Sequence, residues 1–453
     1  MSTLQKFRKS LLATMKILMV SSLICVFVDG WQNYYTEALF KLKGNYLVVL
    51  VYFIILYSFL KLYDAFKVGV LRLHEIIYSS CLAISLANAI SYLILCLIAR
   101  EMLDVKPIIL ISVIQFICAG LCCTSENSVY LRLYKTKRIL AIFDPNSGDY
   151  GIIRKMRRIK ERYVIERGVT IDRPMREIFA EIDKHEAVLI CDFDQTIKNQ
   201  IFHYSYANNK RIYFLPSSDD IILNNSIPSQ IFDTPVIICR NRGLSFEQRI
   251  LKRILDIAVS AFGILITSPI MLIVAAAIKL YDGGPVLFKQ NRVTMNGHIF
   301  NVLKFRSMIV DADKDGAKKA TDNDDRITAV GKIIRRFRID ELPQLFNVLF
   351  GTMSIVGPRP ERTENVHEYT TMLPEFSLRH RVKAGITGYA QIYGKYNTSP
   401  ADKLNMDLIY IENYSIFQDL KLIVMTLKIL FVKESTEGFD EKSANTNVKK
   451  NTK

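Results

Sequence analysis

Long apolar runs fill the first third of the chain, and they constrain its fold more than any other feature. Four of them cover about Leu11–Val28, Tyr46–Tyr63, Ile76–Ala99 and Pro107–Cys123. Each approaches the ~20 residues a helix needs to cross a hydrocarbon core. Inside lipid a backbone must satisfy its own polar groups, so such runs fold as helices. The first run follows basic residues, as a signal peptide would, but no small-residue cleavage site comes after it. "VDGWQNYY" reads instead as an interfacial exit, and the helix as a retained anchor. Lys6, Arg8 and Lys9 precede the first run, and "RLYKTKR" and "RKMRRIKER" follow the fourth. The positive-inside rule therefore predicts that both ends of a four-helix transmembrane region, residues 1–130, lie in the cytoplasm. Almost no carboxylate or histidine falls at mid-membrane depth, so anchoring, assembly or lipid contact is the expected role.

The 453 residues carry a net charge of +16. That balance suits nucleic acid, an anionic membrane surface or a phosphorylated substrate. Aromatic residues are not interleaved with the cations as in a base-stacking surface, so phosphates and anionic lipid are favoured over nucleic acid. The eight cysteines lack paired metal spacing. Cys25, Cys81, Cys96, Cys118, Cys122 and Cys123 lie in apolar runs and are expected to be buried thiols.

Residues 131–243 read as a soluble, three-layered, Rossmann-like α/β domain, with "HEAVLICDF" and "KRIYFLP" as buried strands. A G-x-G-x-x-G turn is missing, so dinucleotide binding has no support. "CDFDQT" places Asp192 and Asp194 after a strand, which resembles the nucleophile motif of haloacid-dehalogenase-type phosphatases. About 50 residues remain before the next apolar stretch, too few for the rest of such a domain. The plainer reading is a strand-to-helix turn capped by Asp and Thr. A phosphatase using Asp192 and Asp194 and a non-enzymatic membrane assembly protein are the alternative functions.

From Phe246 the chain is basic and amphipathic, then apolar from Ile257 to Ile278, with Ser268 and Pro269 inside. Pro269 cannot donate to the Leu265 carbonyl, so a kink is expected, and Ser268 can turn its hydroxyl back on a nearby carbonyl. Lys252 and Arg253 precede this run, and Lys279, Lys289, Arg292, Lys304 and Arg306 follow it. Cations on both flanks favour a re-entrant helix over a fifth crossing.

Beyond it, Lys289, Arg292, Lys304, Arg306, Arg338, Arg359 and Lys383 are candidate phosphate contacts, although any one of them can be a solvated charge. Arg359 lies between Pro358 and Pro360, which fix the backbone on both sides. No P-loop is present, which argues against ordinary nucleotide hydrolysis. "RIDELPQL" sets Asp340 and Glu341 behind a run of arginines. Pro343 suits the first position of a helix that Gly351 would end. The acids then sit at a helix start, where neighbouring side chains do not face each other and can take different tasks. The alternative is a simple acidic cap paired with Arg335 or Arg336.

The ordered motifs "KFRSM", "TDNDDRIT", "RIDELPQLFNVLFG", "MSIVGPRP", "AGITGYAQ" and "MDLIYIENYSIFQDL", with the Ser268–Pro269 helix, resemble the monotopic phosphoglycosyl transferases. These are the bacterial sugar transferases that start exopolysaccharide, capsule and O-antigen synthesis. The resemblance covers about residues 246–432. The whole chain looks like the long form, the exopolysaccharide polyprenyl glycosylphosphotransferases. It implies a mainly helical monotopic catalytic domain, residues 244–432; the polar stretch 433–453 reads by its own composition as a disordered tail. It further implies a bacterial inner-membrane enzyme, multi-pass, with its catalytic domain on the cytoplasmic face. The reaction implied moves sugar-1-phosphate from a UDP-sugar to polyprenyl phosphate in contact with membrane lipid, with a homodimer possible. Asp340 would be the nucleophile, Glu341 its partner, Mg²⁺ the cofactor held by both, and Arg359 a phosphate ligand. Ser268 and Pro269 would hold the re-entrant helix. Ala384, where the family usually has Pro, and Val293, where Gly often follows the arginine, are departures expected to loosen nearby loops.

Overall fold

The computed structural model describes residues 7–35, 43–134, 136–145, 151–157, 162–191, 193–239, 243–310, 312, 324–394 and 398–430. Lys6, Asp192, the first three residues of "TDNDDRIT" and the expected tail 433–453 lie outside them. The chain divides into two compact units, Met1–Leu215 and Pro216–Lys453.

The first unit opens with helices α1 (Arg8–Tyr34), α2 (Gly44–Leu62), α3 (Leu73–Ala99) and α4 (Lys106–Leu133). All four are long and apolar enough to cross a membrane, and each begins before the apolar run that announces it. Their outward faces are apolar and exposed, with Leu97 at 77% and Leu121 at 66%. Lipid, not water, suits such a surface. Inside the bundle the polarity reverses. Tyr52 donates to Asn88 at 2.9 Å, Asn88 to Gln115 at 2.8 Å, and Gln115 to the Leu23 carbonyl at 2.8 Å. Amides paired in this way pin helix to helix where water cannot compete. The cysteines are free thiols, but only Cys96, Cys123 and Cys191 are buried. Cys25 is exposed, because an apolar helix has a lipid-facing side as well as a core side.

Strands β1 (Lys137–Phe143), β2 (Tyr163–Thr170), β3 (Ala187–Ile190) and β4 (Arg211–Phe214) follow, with helices α5 (Gly151–Arg157), α6 (Met175–Lys184) and α7 (Gln195–Ala207) between them. The sheet is parallel in the order β2-β1-β3-β4. Leu140 and Ile142 pack with Ile178, Ile182 and Ile201 on one face; Ile139 and Ala141 pack with Ile153 and Met156 on the other. The expected three layers are therefore present, since a strand alternates its side chains between faces.

Helix α8 (Ser218–Asn224) and the hairpin β5 (Ile227–Ile231) and β6 (Thr234–Ile238) belong to the second unit. The first unit ends at Leu215, before this helix and hairpin. Ile221 packs with Phe376, Leu404 and Leu408, and Asn405 donates to the Pro216 carbonyl at 3.0 Å.

Helix α9 (Phe246–Asp282) is 37 residues long and continues through Pro269. At 1.5 Å per residue it spans about 55 Å. The Ser268 hydroxyl donates to the Leu265 carbonyl at 2.9 Å, supplying the bond that Pro269 cannot make. Lys252, Asp256 and Ser260 form a buried stripe at i, i+4 and i+8. Lys252 binds Asp419 at 2.6 Å, and Arg253 donates to the Val348 and Leu349 carbonyls at 2.7 and 2.8 Å. These two cations are internal struts, so they no longer count as flanking charges in the topology argument. At the far end Arg306 grips Asp282 and donates to the Pro285 carbonyl at 2.8 Å. Both ends of α9 are thus fastened to the same unit.

The rest of the unit contains the antiparallel pair β7 (Leu287–Val293) and β8 (Ile299–Phe305), then helices α10 (Ala329–Arg336) and α11 (Gln344–Phe350). Strand β9 (Ser354–Val356), helix α12 (Thr363–Met372) and a 3₁₀ segment Pro374–Arg381 come next. Strand β10 (Gly385–Thr387) and helices α13 (Tyr389–Tyr393), α14 (Pro400–Glu412) and α15 (Ile416–Leu430) close it. Strands β9 and β10 pair in parallel at the centre of a core that includes Val302, Val348, Val382, Tyr410 and Leu422.

Candidate active site

The acidic pair does not lie in the helix that follows it. Asp340 and Glu341 occupy a 3₁₀ turn, Ile339–Glu341, and Pro343 is the N-cap of α11 rather than its first residue. Gly351 ends that helix with φ +88°, as expected. Arg338 turns the chain into the site in a left-handed conformation, φ +55°. For a residue with a Cβ that conformation costs roughly 1–2 kcal/mol, a strain that clusters at functional sites.

Strand β8 brings Lys304 alongside. The Asn347 amide of α11 bonds one edge of the strand twice, accepting from the Leu303 N–H at 2.9 Å and donating to the Asn301 carbonyl at 2.9 Å. With the strand locked to the helix, Lys304 Nζ lies 3.0 Å from Glu341 Oε1. Arg359 arrives from the loop after β9, its Nη2 also 3.0 Å from Glu341 Oε1. Arg338 Nη1 stands 4.0 Å from Glu341 Oε2. Asp340, Glu341, Lys304, Arg338 and Arg359 thus converge, and the reading of Glu341 as a local cap is replaced by partners 37 and 18 residues away.

The two acids are in different electrostatic states. Burial would raise Glu341, but Arg359 and Lys304 overcome it and hold the carboxyl far below its usual range. Asp340 is raised, by burial first and by Glu341 second, against Lys304 and Arg335. Among the described residues, no cation stands within ion-pair distance of Asp340.

The other predicted residues go elsewhere. Arg306, expected at a phosphate, has its donors committed to Asp282 and Pro285 and is 6% exposed; it is a staple at the end of α9. Lys383 has Arg253, Asp256 and Lys252 as its charged neighbours. Ser268 and Pro269 lie within α9. Asp194 caps α7, accepting from the Thr196 and Ile197 amides at 2.9 and 3.3 Å. Neither departure loosens its loop. The Ala384 amide donates to Thr294 Oγ1 at 3.1 Å, a bond proline could not make, and the Val293 side chain is 6% exposed in the core.

Sequence reasoning missed the buried shell behind Arg359. Arg379, on the 3₁₀ segment, pairs with Asp407 of α14 at 2.8 Å, both 2% exposed at the side chain. Glu361 lies 3.7 Å from Lys403 and 4.0 Å from Arg379. The available signal was weak: Asp407 interrupts an apolar helix face, and Arg379 sits in an ordinary basic run. In β7, Arg292 is a backbone support and not a free cation, donating to the Pro360 carbonyl at 3.1 Å.

A turn of this kind, with one acid neutralised by cations and the other left free, is suited to taking an electrophile at Asp340 beside Lys304, Arg338 and Arg359. Comparison with known proteins bears on what that electrophile is. The family described as "Bacterial sugar transferase" matches residues 247–433. A UDP-glucose:undecaprenyl-phosphate glucose-1-phosphate transferase of Klebsiella pneumoniae is 40% identical over 229 residues, 49% of this chain and 49% of its own length. A UDP-N-acetylgalactosamine-undecaprenyl-phosphate N-acetylgalactosaminephosphotransferase of Aeromonas hydrophila is 43% identical, over 40% of this chain and 43% of its own. The uncharacterized sugar transferase EpsL of Bacillus subtilis is 40% identical over 188 residues, 42% of this chain and 91% of its own. The chain thus spans about half the length of the first two relatives and nearly all of the third.

Proposed function

Because this chain belongs to the bacterial sugar transferase family, we propose that it transfers a sugar-1-phosphate from a UDP-sugar to polyprenyl phosphate. Release of UMP would accompany the opening step of exopolysaccharide, capsule or O-antigen assembly. The observation that carries this reading is the division of labour in the acidic pair: Glu341 is bound by Lys304 and Arg359, while Asp340 is left available. In the first step an Asp340 carboxylate oxygen attacks the phosphorus that bears the sugar, and the bond from that phosphorus to UMP breaks. The sugar phosphate is then an acyl phosphate on Asp340. In the second step a phosphate oxygen of the lipid attacks the same phosphorus and the carboxylate leaves. One phosphoanhydride replaces another, so positioning and charge neutralisation supply the catalysis. Lys304, Arg338 and Arg359 are the cations placed to meet the donor phosphates.

Asp340 and Glu341 are the residues that would hold Mg²⁺. Among the described residues no cluster of three acidic, histidine or cysteine ligands forms. Two carboxylates still fit this ion, which keeps several waters and takes phosphate oxygens as its remaining ligands. When bound it would neutralise charge on the donor phosphates.

We place the catalytic unit on the cytoplasmic face of a bacterial inner membrane, with α9 entering and leaving on one side. Supporting this is the attachment of both ends of α9 to one unit, at Lys252–Asp419 and at Arg306–Asp282. Such a helix lets one site meet a water-soluble donor and a lipid acceptor.

The test is a panel of UDP-sugars given to the enzyme without lipid phosphate. The expected result is one UMP released per active site and a sugar phosphate trapped on Asp340, both abolished by Asp340→Asn. UMP that appears only with lipid present, with no labelled protein, would instead support direct in-line transfer.

A further inference from the structure

Four consecutive carbonyls around Arg359 are each held by a different donor. Pro358 accepts from the Gly385 amide at 2.9 Å, and Glu361 from the Val293 amide at 3.1 Å. Arg359 accepts from Arg379 Nη2 at 3.0 Å, and Pro360 from Arg292 Nη1 at 3.1 Å. Pro358 and Pro360 have no N–H to offer, so carbonyls are the natural handholds on this segment. At the two middle positions the hand is a guanidinium.

A buried guanidinium is costly unless it is paired. Arg379 is paired: Asp407 lies 2.8 Å away, and the Phe376 ring lies beneath it at 4.8 Å. Its Nη2 therefore joins the Arg359 carbonyl to the Asp407 carboxylate of α14, a 13-residue helix, through one rigid planar group. Close packing finishes the clamp. A Cβ at Gly385 would meet the Gly357 nitrogen at 2.1 Å, so the loop cannot move toward β10.

We infer that Arg379, braced by Asp407, and Arg292 are positioning residues that set the Arg359 guanidinium against Glu341 and the donor phosphates. The inference rests on the proposed phosphate role of Arg359. Neither residue needs to touch substrate. Each acts by fixing the carbonyl on one side of a side chain that must be accurately placed.

A double-mutant cycle tests this, with kcat and KM for the UDP-sugar measured in each variant. Arg379→Lys keeps the charge and loses the rigid planar group that reaches both partners. It should lower kcat by about 10–100-fold, the scale of a displacement near 1 Å, with KM changed less. In an Arg359→Ala background the same change should cost less than about threefold, because the group it positions is gone. An equal loss in both backgrounds overturns the inference and makes Arg379 a general support. Arg359→Ala that costs nothing alone overturns the phosphate role and the inference with it. If Arg379→Lys does not fold, Arg292→Lys completes the same cycle from the neighbouring carbonyl, and additivity there overturns the inference equally.

Discussion

Two turns in this protein look alike in one dimension and differ in three. "CDFDQT" and "RIDELP" each set acidic residues at the start of a helix. Asp194 is used up locally, because the amides it accepts from belong to its own helix, two and three residues on. Glu341 is bound by side chains from a strand and a loop far away in sequence. A cap needs only neighbours; a site gathers charge from afar. Between these two turns, the distance along the chain to the acid's partners draws a distinction that the place at a helix start does not.

The contrast is broken most directly by removing each acid. Asp340→Asn should lower transfer by at least about 10³-fold, the scale of losing a nucleophile. Asp194→Ala should leave transfer within about threefold and cost about 1 kcal/mol of stability, as lost caps do. UMP release and thermal unfolding in detergent check the pair. A comparable loss of transfer from both variants would erase the distinction.

What was legible in the sequence followed the same line. The apolar helices, the α/β layers and the Gly351 stop depend on periodicity or propensity, all written locally. Arg306 and Lys252 were misread because a cation's role depends on which carboxylate folding brings to it. Asp282 and Asp419, 24 and 167 residues away, decide those cases. The left-handed Arg338 was invisible for another reason. No glycine or asparagine marks it, so the strain is held by surrounding packing and not by residue type. The Arg379–Asp407 brace was hidden because either residue alone reads as surface charge.

A smaller effect sharpens the difference between the two acids of the site itself. Asp340 must be ionised to attack, and its pKa is raised by burial and then by Glu341. Activity should therefore fall as pH drops through a value above the ordinary 3.8. Glu341→Gln removes one raising influence and frees Lys304 and Arg359, which act the other way. Turnover should drop by about 10²–10³-fold, the range of a lost electrostatic group. The acid limb of the residual activity should move to lower pH. A profile of kcat/KM against pH in both enzymes reads this, and a limb that moves upward would contradict the coupling.

The smallest effect expected concerns a wholly local partnership, Ser268 with the Leu265 carbonyl. Ser268→Ala leaves that carbonyl without the hydroxyl, and Pro269 has no N–H to replace it. The loss of one hydrogen bond should lower stability by about 1 kcal/mol and transfer by less than about threefold. Pro269→Ala restores the missing amide, so the hydroxyl becomes redundant. Ser268→Ala should then cost almost nothing when made in the Pro269→Ala protein. Thermal inactivation of the four proteins, in matched detergent, measures the coupling. If Ser268→Ala is equally damaging with and without the proline, the hydroxyl is acting on something other than the carbonyl that Pro269 leaves unpaired.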